Sequence, residues 1–270
     1  MFNDFLSNGN KSQGLNPFDR GLAFGDGVFR TFKVFDHCPR FWEYHYLKLK
    51  QDAKAIDIDV PSSKILINQV RKLFDEKGTY IGKFIITRGL SDRGYQIPSK
   101  RIKPNCILLK TKFKKPDEKL YSSGVHIELS PIIPSTNLKS GSIKHLNRLE
   151  NVLLKKNLST RAFDGLMINE KKYALECGSH NIFLRFKNTI VIPNFNHGGV
   201  AGISQMVISD FAIANGYSIK NQNISLKKVE KADEFFIANS VNGLIPVRSF
   251  NKKQWKDFKF VQEFRQSVNF

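Results

Sequence analysis

The sequence contains little cysteine and no long apolar run. Its three cysteines, Cys38, Cys106 and Cys177, form no C-x-x-C pair, which argues against a disulfide framework or a cysteine-ligated zinc site. The six histidines form no H-E-x-x-H motif, so we predict no metal site. No apolar run approaches the roughly 20 residues of a membrane-spanning helix. The segment MFNDFLSNGN lacks the pattern of a signal peptide, and we expect a soluble cytoplasmic protein without a membrane partner.

Acidic residues are also scarce: 43 Lys and Arg stand against 24 Asp and Glu, a net charge of +19. A nucleic-acid-binding protein is therefore one hypothesis, and a steep salt dependence of DNA retention would favour it. However, the lysines are spread along the chain, and no RNA-recognition, helix-turn-helix or zinc-finger signature is present. We therefore predict no nucleic-acid partner. The positive charge equally suits the attraction of a small polyanionic substrate.

What is present is enough apolar material for real cores, with 41% hydrophobic residues. In GLAFGDGVFRTFKVFD a glycine-rich turn leads into an alternating strand. Helices are predicted in WEYHYLKLKQDAKAI and PSSKILINQVRKLFDEKG, and strands in YIGKFIITRG and NCILLKTKF. The second half alternates predicted strands with a helix in ISQMVISDFAIANG. We predict an α/β protein with mixed (α+β) sheets: a smaller domain 1–112, a Lys/Pro-rich linker 113–120 and a larger domain 121–270.

The segment GSIKHLNRLENVLLKK, residues 141–156, contains the lysine of greatest interest. Helical spacing from Ile143 through Leu146, Leu149, Val152 and Leu153 predicts an amphipathic helix with Lys144 in its first turn. A surface lysine is the ordinary explanation of such a residue. A chemical role for Lys144 therefore depends on support from the rest of the chain.

Three further features supply that support. Glu176 interrupts a strand otherwise built to be buried, and an inward carboxylate needs a partner for its charge. The glycines of GGVAGIS, residues 198–204, run into a helix whose free N–H groups suit a phosphate. The strand in ADEFFIANSVNGLIPV ends in small polar residues that let an anion approach the backbone. A reactive lysine, a buried carboxylate and two such turns are what pyridoxal phosphate requires.

The chain resembles the class IV, fold-type IV pyridoxal-phosphate enzymes, and among them the 4-amino-4-deoxychorismate lyases. The motifs that carry the resemblance span residues 19–247 in family order: DRGLAFGDGVFRT, TRGLSDRGY, IKHLNRLENVL, ECGSHNIF, GGVAGIS and ADEFFIANSVNGLIPV. The FGDG and E…NIF motifs are shared by the whole class, whereas IKHLNRLE and RGY point toward the lyases.

The resemblance implies a role for each matching residue. Lys144 would bind pyridoxal phosphate covalently, and Glu176 would pair with its pyridine nitrogen. The phosphate would be held, largely through backbone N–H groups, by Ile203, Ser204, Ser240 and Val241. Arg93 would reach a substrate carboxylate and Tyr95 would line the pocket, although a solvated loop arginine is the commoner fate of a residue like Arg93. The resemblance also implies a homodimer.

Two positions depart from the family pattern. Lys48 stands where the family has its phosphate-binding arginine, and a lysine lacks the bidentate fork of a guanidinium. Arg30 stands where the family often has Glu or Thr. If Arg30 faces the pocket it would suit a dicarboxylate substrate; if it faces solvent it is a surface residue. His45, nearby, is interpreted as a packed helix residue.

The implied reaction converts 4-amino-4-deoxychorismate to p-aminobenzoate and pyruvate, a step of folate biosynthesis. Lys144, freed by the substrate amine, would remove the proton from the carbon bearing nitrogen. The alternative is a class IV aminotransferase of branched-chain or D-amino acids. In those enzymes a tyrosine often follows the lysine, whereas His145 and Leu146 follow Lys144 here.

Overall fold

The computed structural model describes residues 4–11, 14–91, 93–97, 99, 102–135, 142–194 and 198–268. The chain divides into two compact units, Met1–Lys114 with Ile143–Asn147, and Lys115–Ser142 with Arg148–Phe270. The crossing after Lys114 lies in the segment predicted as the linker. The predicted division differs from the structure in one important respect, because residues 143–147, which include Lys144, pack in the first unit.

The first unit is one antiparallel sheet with two helices against it. Its strand order is β2-β1-β6-β5-β3-β4. The elements are β1 (Asp4–Ser7), β2 (Asn10–Lys11), α1 (Arg20–Phe24), β3 (Gly27–Phe35), β4 (Cys38–Pro39), α2 (Trp42–Lys54), α3 (Ser63–Leu73), β5 (Thr79–Thr87) and β6 (Asn105–Lys112). Every other residue of β3 faces the core, as the alternation predicts.

Helices α2 and α3 form because their apolar residues recur at helical spacing and meet the apolar face of the sheet. Phe32 stacks on Phe84 at 5.5 Å and meets the Trp42 ring edge-on at 5.9 Å. Ser62 is the N-cap of helix α3, and its hydroxyl accepts the N–H of Ile65. The predicted helices and strands of this unit are therefore confirmed, with boundaries shifted by a few residues.

The second unit is built around a larger, mixed sheet. Its strands are β7 (Val125–Leu129), β8 (Asp164–Ile168), β9 (Tyr173–Cys177), β10 (Asn181–Phe186), β11 (Thr189–Pro193), β12 (Ser218–Gln222), β13 (Ile224–Ser225), β14 (Glu234–Asn239), β15 (Gly243–Phe250) and β16 (Lys253–Gln254). Its helices are α4 (Lys119–Ser122), α5 (Leu149–Asn157), α6 (Ile203–Ala214), α7 (Leu226–Glu230) and α8 (Lys259–Ser267). Parallel pairs β7–β8, β7–β15 and β11–β12 lie among antiparallel ones, which makes the sheet mixed.

The path of this sheet closes on itself through β10. Strands run in the order β10-β14-β15-β7-β8-β9, and β9 pairs again with β10. As a result Asn181 at the start of β10 lies opposite Glu176 on one side and Ala238 on the other. Two segments of predicted chemical interest, ECGSHNIF and ADEFFIANSVNGLIPV, therefore lie side by side in this sheet.

The helix predicted from Ile143 is wrong in its first half. Helix α5 begins only at Leu149, and Leu149 and Val152, expected on a buried face, are 68% and 62% exposed. Ile143 is buried in the core of the first unit instead. Residues 143–147 do not form a helix, although their spacing is helical. The edge of a sheet in the first unit provides backbone hydrogen-bond partners for this segment and an apolar site for Ile143.

The part of the chain that the structure describes contains no candidate for a membrane-spanning helix. None of its helices combines the length and the apolar character that crossing a bilayer demands.

Candidate functional site

Lys144 lies on an extended segment beside strand β3. Its carbonyl accepts the N–H of Phe29 at 3.0 Å, and the N–H of Leu146 donates to the carbonyl of Gly27 at 3.0 Å. His145 forms an isolated antiparallel bridge with Val28. The Lys144 ammonium lies over the Phe29 ring, 4.7 Å from its centroid. The lysine is therefore held by backbone hydrogen bonds to the edge of β3 and not by a helical turn.

Gly27, the last residue of the FGDG motif, makes this approach possible. A Cβ at Gly27 would lie 2.8 Å from the Leu146 side chain and 2.6 Å from the Ile86 carbonyl oxygen. Any other residue would push the lysine-bearing segment away from β3. The motif at the start of the chain and the lysine more than a hundred residues later thus belong to one structural unit.

The backbone of Lys144 is also bound to an acid that the sequence analysis did not single out. Its N–H donates to Asp52 Oδ2 at 3.2 Å. The same carboxylate forms a buried ion pair with the Arg30 guanidinium, and its Oδ1 lies 3.8 Å from Lys48 Nζ. Asp52 and Arg30 are 3% and 2% exposed. One buried carboxylate therefore joins both departures from the family pattern to the main chain of the lysine.

Arg30 occupies neither of the two positions considered from the sequence. It is buried on the core face of the sheet, where Nη2 meets Asp52 and lies 3.5 Å from the carbonyl of Lys48. The prediction that Arg30 contacts substrate is therefore not what this geometry favours. The alternation of β3 correctly placed Arg30 on the same face as Val28 and Phe32. The acid that pairs with Arg30, Asp52, lies on helix α2.

Two neighbours of Lys144 have perturbed pKa values. Burial, with the charges of Arg30 and Lys144, lowers the pKa of His45 to about 3, so this histidine is neutral at physiological pH. Burial also lowers the pKa of Lys48, and the opposing charge of Asp52 limits the shift. His45 is packed 5.7 Å from the Phe32 ring, as interpreted from the sequence.

Glu176 is the centre of a second cluster, in the second unit. It lies on β9, 6% exposed, and its Oε2 accepts the N–H of Val200 at 2.9 Å and the side-chain amide of Asn181 at 3.5 Å. The Asn181 amide also donates to the Val200 carbonyl at 2.7 Å. The predicted buried carboxylate and the predicted glycine-rich turn are thus directly bonded.

The same network reaches the start of α6. Ser204 Oγ donates to Asn181 Oδ1 at 3.0 Å, and a Cβ at Gly202 would overlap that oxygen. Gly202 is the N-cap of this 12-residue helix and provides no side chain to bond its first turn. The N–H groups of Ile203 and Ser204 therefore lie in an uncapped first turn, which suits an anion.

The turn after β14 differs from its predicted use. The N–H groups of Val241 and Asn242 donate to Asn239 Oδ1 at 3.0 and 2.8 Å. The Val241 N–H, expected on a phosphate, is therefore engaged inside the turn. Ser240 lies in the same turn and is partly exposed.

A buried acid supports this turn and was missed from the sequence. Asp164, fully buried, accepts from His180 Nδ1 at 2.7 Å and from Lys155 Nζ at 2.8 Å. Burial raises the pKa of Asp164, but the His180 hydrogen bond and the Lys155 charge outweigh it and hold the pKa well below its usual range. His180 Nε2 lies 3.4 Å from the Asn242 amide. No spacing in the sequence connects these residues, because they meet only through the sheet.

Arg93 and Tyr95 lie on an exposed loop of the first unit. Tyr95 is 85% exposed, with its ring 5.2 Å from that of Phe24. The loop is held by Arg20, whose guanidinium donates to the carbonyls of Gly94 and Tyr95 at 3.1 Å each. Arg20 belongs to the DRG motif, so that motif organises the loop with both predicted substrate residues. Their contact with a substrate stays a prediction.

The family model for amino-transferase class IV matches residues 27–250. The chain belongs to the class IV aminotransferase family. The resemblance read from the motifs is therefore confirmed, and the family model spans the Lys144 segment, Glu176 and the turn before α6.

Individual relatives in this family carry two kinds of name. The chain is 26% identical over 238 residues to the aminodeoxychorismate lyase of Bacillus subtilis, covering 86% of this chain and 80% of that protein. It is 25% identical over 256 residues to a putative branched-chain-amino-acid aminotransferase of Methanocaldococcus jannaschii, covering 90% and 87%. The crystal structure of 4-amino-4-deoxychorismate lyase from Pseudomonas aeruginosa superposes with a TM-score of 0.91 at 28% identity, covering 98% of this chain and all of that one. The predicted fold class is confirmed.

Proposed function

We propose that this class IV family member is a pyridoxal-phosphate-dependent lyase that converts 4-amino-4-deoxychorismate to p-aminobenzoate and pyruvate. The observation that carries the proposal is the likeness to the Pseudomonas aeruginosa lyase over the full length of both chains. The segment after Lys144 supports it, because His145 pairs with Val28 where related aminotransferases often have a tyrosine.

The described residues fit the cofactor. Lys144 supplies a primary amine beside an aromatic ring. Glu176 supplies a buried carboxylate held by the neutral Val200 N–H, which keeps the negative charge available for a protonated pyridine nitrogen. Ile203 and Ser204 supply the uncapped first turn of α6 for a phosphate, and Lys48 and Ser240 are the further candidates for it.

When bound, pyridoxal phosphate supplies an electron sink for the negative charge that develops at the substrate carbon bearing nitrogen. The Lys144 amine removes the proton from that carbon. Breaking the bond between the ring and the enolpyruvyl oxygen then leaves an aromatic ring. Lys144 or water returns a proton to the enolpyruvyl methylene, which yields pyruvate. The Glu176 carboxylate would pair with the protonated pyridine nitrogen.

Arg93 and Tyr95 are our candidates for the substrate carboxylates, on the loop held by Arg20. We also propose a cytoplasmic homodimer. Exposed apolar side chains near that loop support a second copy as the partner, since an exposed apolar patch often marks a protein–protein interface. They are Phe18 at 70%, Leu22 at 67% and Ile97 at 51% exposure.

The decisive experiment supplies cofactor-loaded protein with 4-amino-4-deoxychorismate and no keto acid, and quantifies both products. Equimolar p-aminobenzoate and pyruvate support the lyase. No release, but amino-group transfer once a keto acid is added, would identify an aminotransferase instead. Sedimentation of the same sample tests the homodimer, and a monomer at micromolar concentration would contradict it.

A further inference from the structure

Several basic side chains and one buried carboxylate, Asp52, lie close to the main chain of Lys144. Arg30 and Lys48 both approach Asp52, and Lys144 itself adds a third cation to this part of the first unit. Asp52 lies on the buried side of α2, next to Ala53. A carboxylate at such a position is costly unless it is paired and hydrogen-bonded. Asp52 meets both conditions, through the Arg30 guanidinium and the Lys144 backbone N–H.

The contacts of Asp52 indicate its role. Oδ2 is shared between the Arg30 guanidinium and the Lys144 backbone N–H, and Oδ1 faces Lys48. Arg30 is anchored in the sheet and Lys48 in the helix, so the carboxylate is located from two sides. The Lys144 main chain is then attached to a group that cannot move independently.

We propose that Asp52 is a positioning residue for Lys144: it fixes the lysine's main chain, and Arg30 is present to hold Asp52. The two departures from the family pattern are then parts of one arrangement. This inference rests on the cofactor part of the proposed function and is independent of whether the product is p-aminobenzoate or an amino acid.

The test separates noncovalent capture of the cofactor from bond formation at Lys144. Apoprotein is mixed rapidly with pyridoxal phosphate, and the absorbance change is followed against cofactor concentration. The concentration dependence gives the constant for initial binding, and the limiting rate gives the covalent step. Borohydride trapping and peptide mass spectrometry verify that the modified residue is Lys144.

Asp52→Ala removes the acceptor of the Lys144 N–H, and we expect the limiting rate to fall at least tenfold while initial binding changes less than threefold. Asp52→Asn keeps an oxygen between Arg30 and that N–H, so its limiting rate should stay within threefold of the wild type. Asp75→Ala, at an exposed acid of the same unit, is the matched control and should change neither quantity.

Equal limiting rates for the alanine and asparagine variants would overturn the proposal, as would a parallel loss of both steps. If Asp52→Ala fails to fold, Arg30→Met with Asp52→Leu replaces the ion pair by apolar side chains. That folded double variant should show the same slow covalent step, and a normal rate in it would also overturn the proposal. Absence of any cofactor binding by the wild type would instead count against the proposed function.

Discussion

The two clusters that contain Lys144 and Glu176 are held in different ways. Around Lys144 the contacts are ionic and the elements are distant in sequence: a strand, a helix and an extended segment meet at Asp52. Glu176 accepts from two neutral donors, a backbone N–H and an amide from positions within 25 residues. Neutral donors orient a carboxylate without cancelling its charge, whereas a cluster of cations requires an acid to be tolerated at all.

The comparison also explains why one departure from the family pattern accompanies another. A lysine at position 48 and an arginine at position 30 would repel each other without Asp52. The Glu176 cluster retains the family motifs, and its partners Asn181 and Val200 lie inside the quoted motifs. Removal of Asp52 alone would therefore leave Arg30 and Lys48 without the carboxylate they share, whereas the contacts of Glu176 depend on hydrogen bonds from Asn181 and Val200.

The largest expected effect is the loss of turnover when Lys144, in the first cluster, is replaced. Lys144→Ala should reduce turnover by at least about 10⁴-fold, because it removes both the covalent attachment and the base. The fold should survive, since the backbone bonds to β3 are unchanged. The measurements are product formation and a urea unfolding curve. Lys54→Ala, at an exposed lysine of α2, is the control, and appreciable turnover by the Lys144 variant would contradict the assignment.

Removal of the buried acid Asp164 tests whether a charge interaction contributes to the stability of the second unit. Asp164→Asn leaves His180 and Lys155 without their anion, and we expect the free energy of unfolding to fall by about 3 kcal/mol. Urea denaturation measures this. Asp233→Asn, an exposed acid of the same unit, should cost far less. If Asp164→Asn changes the free energy of unfolding by less than about 0.5 kcal/mol, the ion pairs of Asp164 do not stabilise the fold.

Glu176→Gln removes the negative charge of the second cluster and keeps an oxygen that can accept its hydrogen bonds. The amide oxygen still accepts the Val200 N–H, so the turn should stay in place, while turnover falls about 100-fold through loss of the negative charge. Initial-rate assays on the loaded protein give the result. Glu170→Gln, at an exposed position, provides the comparison, and wild-type turnover in Glu176→Gln would remove the proposed pairing with a pyridine nitrogen.

The smallest effect concerns pH and the first cluster. The pKa of His45 is lowered from 6.5 to about 3 in the fold. Below pH 6.5 the unfolded chain therefore binds a proton that the native state refuses, and stability is lost as pH falls. From pH 7 to pH 5 this amounts to about 2 kcal/mol.

His45→Gln should abolish that component, so its unfolding free energy falls less between pH 7 and pH 5 than that of the wild type. His126→Gln, at a partly exposed histidine, should retain the wild-type dependence. If the unfolding free energies of His45→Gln and the wild type depend on pH in the same way, the pKa of His45 is not lowered in the folded state.

Sequence patterns predicted much of the fold and part of the site. The alternation of β3 placed Arg30 on the face of Val28, and helical spacing found α2, α3 and α6, because each of these elements buries one face. The same reasoning failed at Lys144, where helical spacing in residues 143–153 suggested a helix that begins only at Leu149. Local periodicity cannot detect a distant sheet edge that provides better backbone partners.

Asp52 shows a signal that was present but unused. It follows Lys48 by four residues and interrupts the apolar stripe of α2 between Leu49 and Ala53. An acid in such a stripe predicts a buried partner, although the identity of that partner depends on which strand packs against the helix. Asp164 and His180 gave no comparable signal, since neither lies at a recognisable spacing from the other.

The sequence by itself determined the family and the mixed α/β class, and it singled out Glu176 as a buried carboxylate and Lys144 as the candidate reactive lysine, because these depend on composition, short-range spacing and motif order. Only the tertiary structure decided where Lys144 lies and what holds it. Gly27, Asp52 and Lys144 are remote in the chain, and their contacts exist only because the edge of β3 and the buried side of α2 receive residues 143–147. A pattern within one segment contains no information about a hydrogen bond completed by another.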